Sequence, residues 1–228
     1  FAEGEDLDAY PRTLEADVEK LRAASVDAVF APNAREMYPN GPRTTVQPGA
    51  IGAILEGAFR PTHFAGVLTV VNKLFQITHC DHAYFGEKDY QQLMVIQQMV
   101  NDLNMGVTVH GVPIVRQQDG LALSSRNQYL SEADRELALT LSAALTAGAF
   151  VAEGGAEKVL STAREIIESV PEIELDYLEL RGADLGEPPE MGDARLLVAA
   201  RVGSTRLIDN VNLPLGIGFK NIEGEGEG

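Results

Sequence analysis

The sequence predicts an α/β protein, with a parallel sheet and covering helices in its first half and a smaller α+β unit in its second. Three observations predict it. Up to Val115, helical and extended hydrophobic patterns alternate as helix-strand-helix-strand-helix-strand, the order of parallel strands joined by crossovers. From Arg116 onward, two helical segments precede strand-like runs in antiparallel-looking order. Hydrophobic residues form 45% of the 228 and charged residues 23%, enough for a packed core, which excludes global disorder.

The elements follow in order. Thr13 is placed to cap a helix bearing Leu14, Val18, Leu21 and Ala24 at helical spacing. Val26–Ala31 reads as a short buried strand, stopped by Pro32-Asn33. Pro39–Pro48 is polar and contains Pro and Gly, as a surface loop does. Between Gly66 and Ile77, the residues Val67, Val70, Val71, Leu74 and Ile77 define one apolar helix face. Ala83-Tyr84-Phe85 is a short strand ending at Gly86, and a helix then runs from about Asp89 to Leu103, with Leu93, Ile96, Val100 and Leu103 inward. Val107–Val115 alternates as another strand. After a turn at Gln117–Gly120, Ser131 caps a helix to about Val151, and the Gly154-Gly155 break leads into Ala156–Ser169. Ile173–Leu180, Arg195–Val202 and Thr205–Leu213 are strands, and the acidic, Gly-rich tail is flexible.

Charge narrows the partners. Lys and Arg total 18 against 34 Asp and Glu, a net −16, so nucleic acid and anionic membranes are repelled. Any phosphate site must therefore be a local basic pocket. No apolar run approaches the ~18 residues of a membrane span. Phe1–Asp6 lacks the basic and apolar regions of a signal peptide, and Cys80 has no internal partner, so a reducing cytoplasm is expected.

Three clusters carry candidate chemistry. Tyr84–Gln92 joins a strand end to a helix start, where open α/β sheets bind ligands. Gly86 admits a phosphate to the backbone, Lys88 supplies charge, Asp89 suits a hydroxyl or a metal-bound water, and Gln92 faces the same ligand one turn later. The rival reading is a capped helix with solvated charges. Leu123-Ser124-Ser125-Arg126-Asn127 offers two hydroxyls and a guanidinium to phosphate, or is an ordinary solvent loop. Arg60–Gly66 places His63 at a helix start, as a ligand contact or as a packed polar residue. His79-Cys80-Asp81-His82 looks like a metal site, but adjacent side chains diverge too far for one ion. Gly-x-Ser-x-Gly, Walker and Gly-x-Gly-x-x-Gly patterns are absent.

Together the motifs are far more specific. Asp8–Thr13, Leu55-Glu56-Gly57, Arg60–Val67, Phe85–Gln92, Gly120–Asn127 and the closing Thr205–Asn210 stand in order and at workable spacing. On these residues the chain resembles the pantothenate synthetases (pantoate–β-alanine ligases) over nearly its whole length. The resemblance implies a Rossmann-like nucleotidyltransferase domain over residues 1–114, a C-terminal lid over 115–218 with a hinge near Val115–Gln118, and a tail over 219–228. It implies ATP-dependent joining of pantoate and β-alanine through a pantoyl adenylate, with Mg²⁺, in a cytoplasmic homodimer. Gly86, Glu87, Lys88, Asp89, Val115, Leu123, Ser124, Ser125 and Arg126 match ATP-binding positions, with Lys88, Ser124 and Arg126 in catalysis. Gln92, Tyr10, Arg60 and His63 match the pantoate pocket.

The family's Met-Gly-x-x-His-x-Gly-His and Asn-Pro-x-Gln segments do not occur, so the first parallel-sheet portion, roughly seventy residues, is expected to be lacking. Without those histidines the chain alone is expected to be inactive. A non-catalytic remnant of the same fold is the alternative. A different adenylyl-forming nucleotidyltransferase ranks last, since it would lack the Arg60–Val67 and Ser124–Asn127 motifs.

Overall fold

The computed structural model describes residues 10 and 12–219, so the Glu223–Gly228 tail and, within the Asp8–Thr13 motif, Asp8, Ala9 and Pro11 lie outside the described residues. Helix α1, Leu14–Ala23, forms where expected but buries no residue. Thr13 does not cap it with its side chain; its hydroxyl donates instead to the Asp17 carboxylate at 3.1 Å. Val26–Ala31 is not a strand. It is irregular and exposed, Phe30 by 53%, and no strand lies beside it among the described residues to take its backbone hydrogen bonds. The single-turn α2, Ala34–Met37, is fixed by a capping box: Asn33 Oδ1 accepts from Glu36 N at 2.9 Å and Glu36 Oε2 accepts from Asn33 N at 2.8 Å.

The parallel unit is built from β1 (His82–Gly86), α5 (Tyr90–Asp102) and β2 (Thr108–Val112), preceded by the short α3 (Glu56–Phe59) and by α4 (His63–Thr78). The strands pair in parallel with Ala83 opposite Val109 and Phe85 opposite Gly111. The apolar face of α4 is turned from the one expected. Phe64, Leu68, Val71 and Phe75 are buried against Val95, Ile96, Met99 and Val100, while Ile77 is exposed. The two phenylalanines fill the space between α4, α5 and the sheet, which leaves Val67, Val70 and Leu74 half-buried on the flank. Leu103 also lies outside, 54% exposed, because α5 ends at Asp102 and the chain turns through a left-handed Asn104. On the other face of the strand pair Tyr84 is 67% exposed and stacks on His110, whose ring meets His82.

The C-terminal unit is a meander, β3 (Ile173–Gly182), β4 (Gly192–Val202) and β5 (Thr205–Leu215), with α6 (Glu132–Phe150) and α7 (Gly155–Glu168) on one face. Ser131 caps α6, accepting from Asp134 N at 3.1 Å. Alternation gives β4 two inner faces. Leu196, Val198 and Ala200 pack under the helices, while Leu197 and Ala199 pack against Leu55, Tyr90 and Leu93. In β3 the register slips between Leu175 and Tyr177, a β-bulge that places Asp176 as an extra residue. Arg116 ties the expected hinge to β5, donating to both Asp209 oxygens at 2.7 and 3.0 Å and to the Asn210 carbonyl at 3.2 Å. Among the described residues no single helix is long and apolar enough to cross a membrane.

Candidate active site

The β1–α5 connection, the starts of α3 and α4 and the cleft-facing side of β4–β5 border a cleft of about 380 Å³, part of it open to solvent. Its walls follow from the elements. Glu87–Asp89 forms one 3₁₀ turn that hands the chain from β1 to α5, so Lys88, Asp89 and Gln92 border the opening. Arg60 and His63 come from the α3–α4 junction. Leu197, Ile208 and Asn210 come from strands, every second residue pointing the same way.

A tight turn aims Glu56 into this space. Leu55 has φ 48° and ψ −122°, a costly conformation for a branched side chain, and is held by burial. Gln91, itself buried, braces the turn: its Oε1 accepts from Glu56 N at 3.0 Å and its Nε2 donates to the Ile51 and Ile54 carbonyls at 2.6 and 2.7 Å. Gly57 is required here, since a Cβ would stand 1.8 Å from the Gly52 carbonyl oxygen.

The Glu56 carboxylate accepts two hydrogen bonds from Arg206, at 2.7 and 2.8 Å, and one from the Tyr177 hydroxyl at 3.1 Å. Burial alone would raise its pKa. The hydrogen bonds and charge of Arg206, the Tyr177 hydroxyl and the charge of Arg60 outweigh that and hold the carboxyl below its usual value. Burial, and then the Glu56 charge, push the Tyr177 hydroxyl far upward, so it stays a donor. Burial also works against the Arg206 charge, but its bonds to Glu56 and to Asp176, the latter at 2.6 Å, keep it protonated.

Charges at the cleft therefore divide into two kinds. Glu56 is neutralised by Arg206 and Asp209 by Arg116, both arginines reaching in from behind. Arg60, 3.7 Å from Glu56, and Lys88, 3.9 Å from Asp89, line the opening. The opening thus offers two cationic side chains, each with a carboxylate beside it, on an otherwise acidic chain. Three carboxylate, His or Cys ligands for one metal do not come together among the described residues.

The structure brings Arg60, His63, Lys88, Asp89 and Gln92 together as the sequence reading expects. Gly86 and Glu87 stand behind them. The Glu87 carboxylate lies over Gly111, where a Cβ would stand 3.0 Å from it, and pairs with Arg195 at 3.2 Å. Tyr10 is not at the cleft. Its hydroxyl accepts from Ser125 Oγ at 3.0 Å and its ring lies under Arg126, so it supports the Ser124–Arg126 loop. That loop turns on Ser124 Oγ, which accepts from Arg126 N at 3.3 Å. Val115 and Leu123 are paired through Leu123 N and the Val115 carbonyl at 2.8 Å, with both side chains exposed, by 61% and 57%. Within His79–His82, His79 ends α4 in a left-handed conformation and His82 turns to His110, 3.0 Å away. Sequence reasoning missed the roles of Tyr177, Arg195, Arg206 and Asn210. The available signal was Arg206-x-Ile208-x-Asn210, which places two polar side chains on one side of a strand.

Comparison with known proteins agrees with this geometry. A family model described as pantoate-beta-alanine ligase matches residues 1–212. A pantothenate synthetase of Corynebacterium jeikeium is 75% identical over all 228 residues, which cover 74% of its length, and one of Nocardia farcinica is 62% identical, with 72% covered. The crystal structure of pantothenate synthetase from Thermus thermophilus superposes with a TM-score of 0.89 at 49% identity, covering 92% of this chain and 78% of that one. A pantoate-beta-alanine ligase from Francisella tularensis, solved with a β,γ-ATP and β-alanine, gives a TM-score of 0.73 at 35% identity, covering 90% and 72%. Family model, sequence and fold coincide, and the chain belongs to the pantoate–β-alanine ligase family.

Proposed function

We propose that this chain carries the site at which ATP activates pantoate for joining to β-alanine, through a pantoyl adenylate. The observation that supports it best is the convergence of Arg60, His63, Lys88 and Gln92 on one cleft at the end of β1, on a protein of net charge −16. In the first step a pantoate carboxylate oxygen bonds to the α-phosphorus, the α–β anhydride bond breaks, and pyrophosphate leaves. In the second the β-alanine nitrogen bonds to the acyl carbon, the acyl–phosphate bond breaks, AMP leaves and the nitrogen loses a proton.

Lys88 stabilises charge that grows on the phosphates in the first step. Gly86 and the turn Glu87–Asp89 give the phosphates a close backbone approach, with Glu87 fixing the turn rather than touching the ligand. Ser124, Ser125 and Arg126 donate to the triphosphate, propped by Tyr10, and the exposed apolar pair Val115 and Leu123 offers a surface to adenine. Arg60, His63 and Gln92 hold the pantoate end. Magnesium comes with the nucleotide. Asp89, exposed at the opening, would be the residue placed to help hold that cation, which would offset the charge of the phosphates. We further propose a cytoplasmic homodimer without nucleic-acid or membrane partners, in keeping with the charge.

The test is pantothenate formation from ATP, pantoate and β-alanine by residues 1–228, alone and with an added peptide bearing the family's His-x-Gly-His and Asn-Pro-x-Gln segments. Product in the second arm only is the expected result. Product from the chain alone overturns the expectation of inactivity but not the ligase reading. Failure of both arms, with no measurable binding of ATP, overturns the site.

A further inference from the structure

We propose that Asn210 is a positioning residue for Lys88, through which the C-terminal sheet sets the geometry of the phosphate-facing turn; this rests on the role of Lys88 given above. Asn210 is 2% exposed. Its Nδ2 donates to two consecutive carbonyls, Glu87 O at 2.9 Å and Lys88 O at 3.0 Å, and its Oδ1 accepts from Arg195 Nη1 at 2.9 Å. The orientation of the amide is not arbitrary, because a guanidinium has no acceptor and a carbonyl no donor. Every polar atom of the side chain is thereby engaged.

Asn210 is itself held firmly. Its backbone N donates to Asp209 Oδ1 at 2.7 Å and its carbonyl accepts from Arg116. Arg195 is fixed between Glu87, at 3.2 Å, and the face of Tyr90, 3.8 Å from the ring centroid. Fixing two successive carbonyls fixes the orientations of the two peptide planes that follow Glu87 and Lys88. Those planes set the direction in which Lys88 leaves the backbone. The side chain of Lys88 has several free torsions, so its ammonium is only as well placed as its Cα–Cβ bond. In this way a residue more than a hundred positions away in sequence aligns the cation at the cleft.

Asn210→Asp isolates the claim. It keeps the size of the side chain and the acceptor for Arg195, but it turns the donor that faced two carbonyls into an acceptor. Binding of Mg·ATP by calorimetry is expected to weaken about tenfold, and pyrophosphate release, in the assay arm that turns over, to fall by at least about as much. Asn210→Ser, which retains one donor, is expected to recover part of both. Thermal melts accompany each variant; if Asn210→Asp fails to fold, Asn210→Ser and Asn210→Ala carry the same comparison. The decisive measurement is a cycle with Lys88. In a Lys88→Ala background, Asn210→Ala is expected to cost nothing further in ATP affinity. An unchanged affinity in every folded Asn210 variant overturns the proposal, as does a full and independent loss in the Lys88→Ala background. If Lys88→Ala alone changes neither reading, the assigned role of Lys88 fails and takes this proposal with it.

Discussion

The two sheets of this molecule are built on opposite plans. The parallel pair β1–β2 has one packed face, toward α4 and α5, and on the other carries Tyr84, His82 and His110 near solvent. The antiparallel sheet is packed on both faces, under α6 and α7 on one side and against Leu55, Tyr90 and Leu93 on the other. Arg60, His63, Lys88, Asp89 and Gln92 at the cleft come from the half-covered unit, whereas groups that brace them come from the fully covered one. Open elements supply access for ligands and closed elements supply rigidity. Arg195, Arg206 and Asn210 all reach across from the C-terminal sheet into the parallel unit and frame the cleft.

Core truncation should separate the units most strongly. Leu196→Ala, fully buried beneath the helices, is expected to cost about 3–5 kcal/mol in a denaturant melt, and a loss below about 1 kcal/mol would show the frame to be softer than its packing implies. Glu56→Ala, which takes from Arg206 two of its carboxylate bonds and leaves it that to Asp176, is expected to cost about 2–3 kcal/mol at neutral pH. The same carboxylate gives a pH signature. Its folded pKa lies below the ordinary 4.5, so its contribution is present above about pH 4.5 and is lost as pH falls through the folded value. In Glu56→Ala that acid-side loss should shrink; an unaltered acid melt would remove Glu56 from the account. Lys88→Ala should leave the melt within about 0.5 kcal/mol of the parent while weakening Mg·ATP binding, so that stability and binding part at a single side chain. Tyr84→Ala should change neither by a measurable amount, and a large effect there would mean that the open face is covered.

Much of this was legible in the sequence, for reasons that differ by element. The helices α4, α5, α6 and α7 and the strands after Ile173 were readable because period and capping agree locally, as at Ser131. Val26–Ala31 was misread because a strand needs a neighbour, and composition cannot say whether one is present. The face of α4 was misjudged because valines and phenylalanines both repeat at helical spacing, and only the space to be filled decides between them. The phosphate-facing turn was visible as a contiguous motif. Its supports were not: Glu56 meets Arg206 across 150 positions, and Asn210 meets Lys88 across 122.

The bulge at Asp176 has a consequence for chain length. Ile173 and Leu175 belong to the helix-covered core, and so do Leu178 and Leu180, although strict alternation would carry that face through 177 and 179. The extra residue shifts the phase of the strand, which frees Tyr177 to turn the other way and meet Glu56. Replacing Asp176 would remove one bond to Arg206 and little else. Deleting it would restore strict alternation, with Leu175, Leu178 and Leu180 still beneath the helices and Tyr177 still turned toward Glu56. At this point the strand can lose a residue without exchanging its faces, and what goes with the bulge is the Asp176 carboxylate on Arg206.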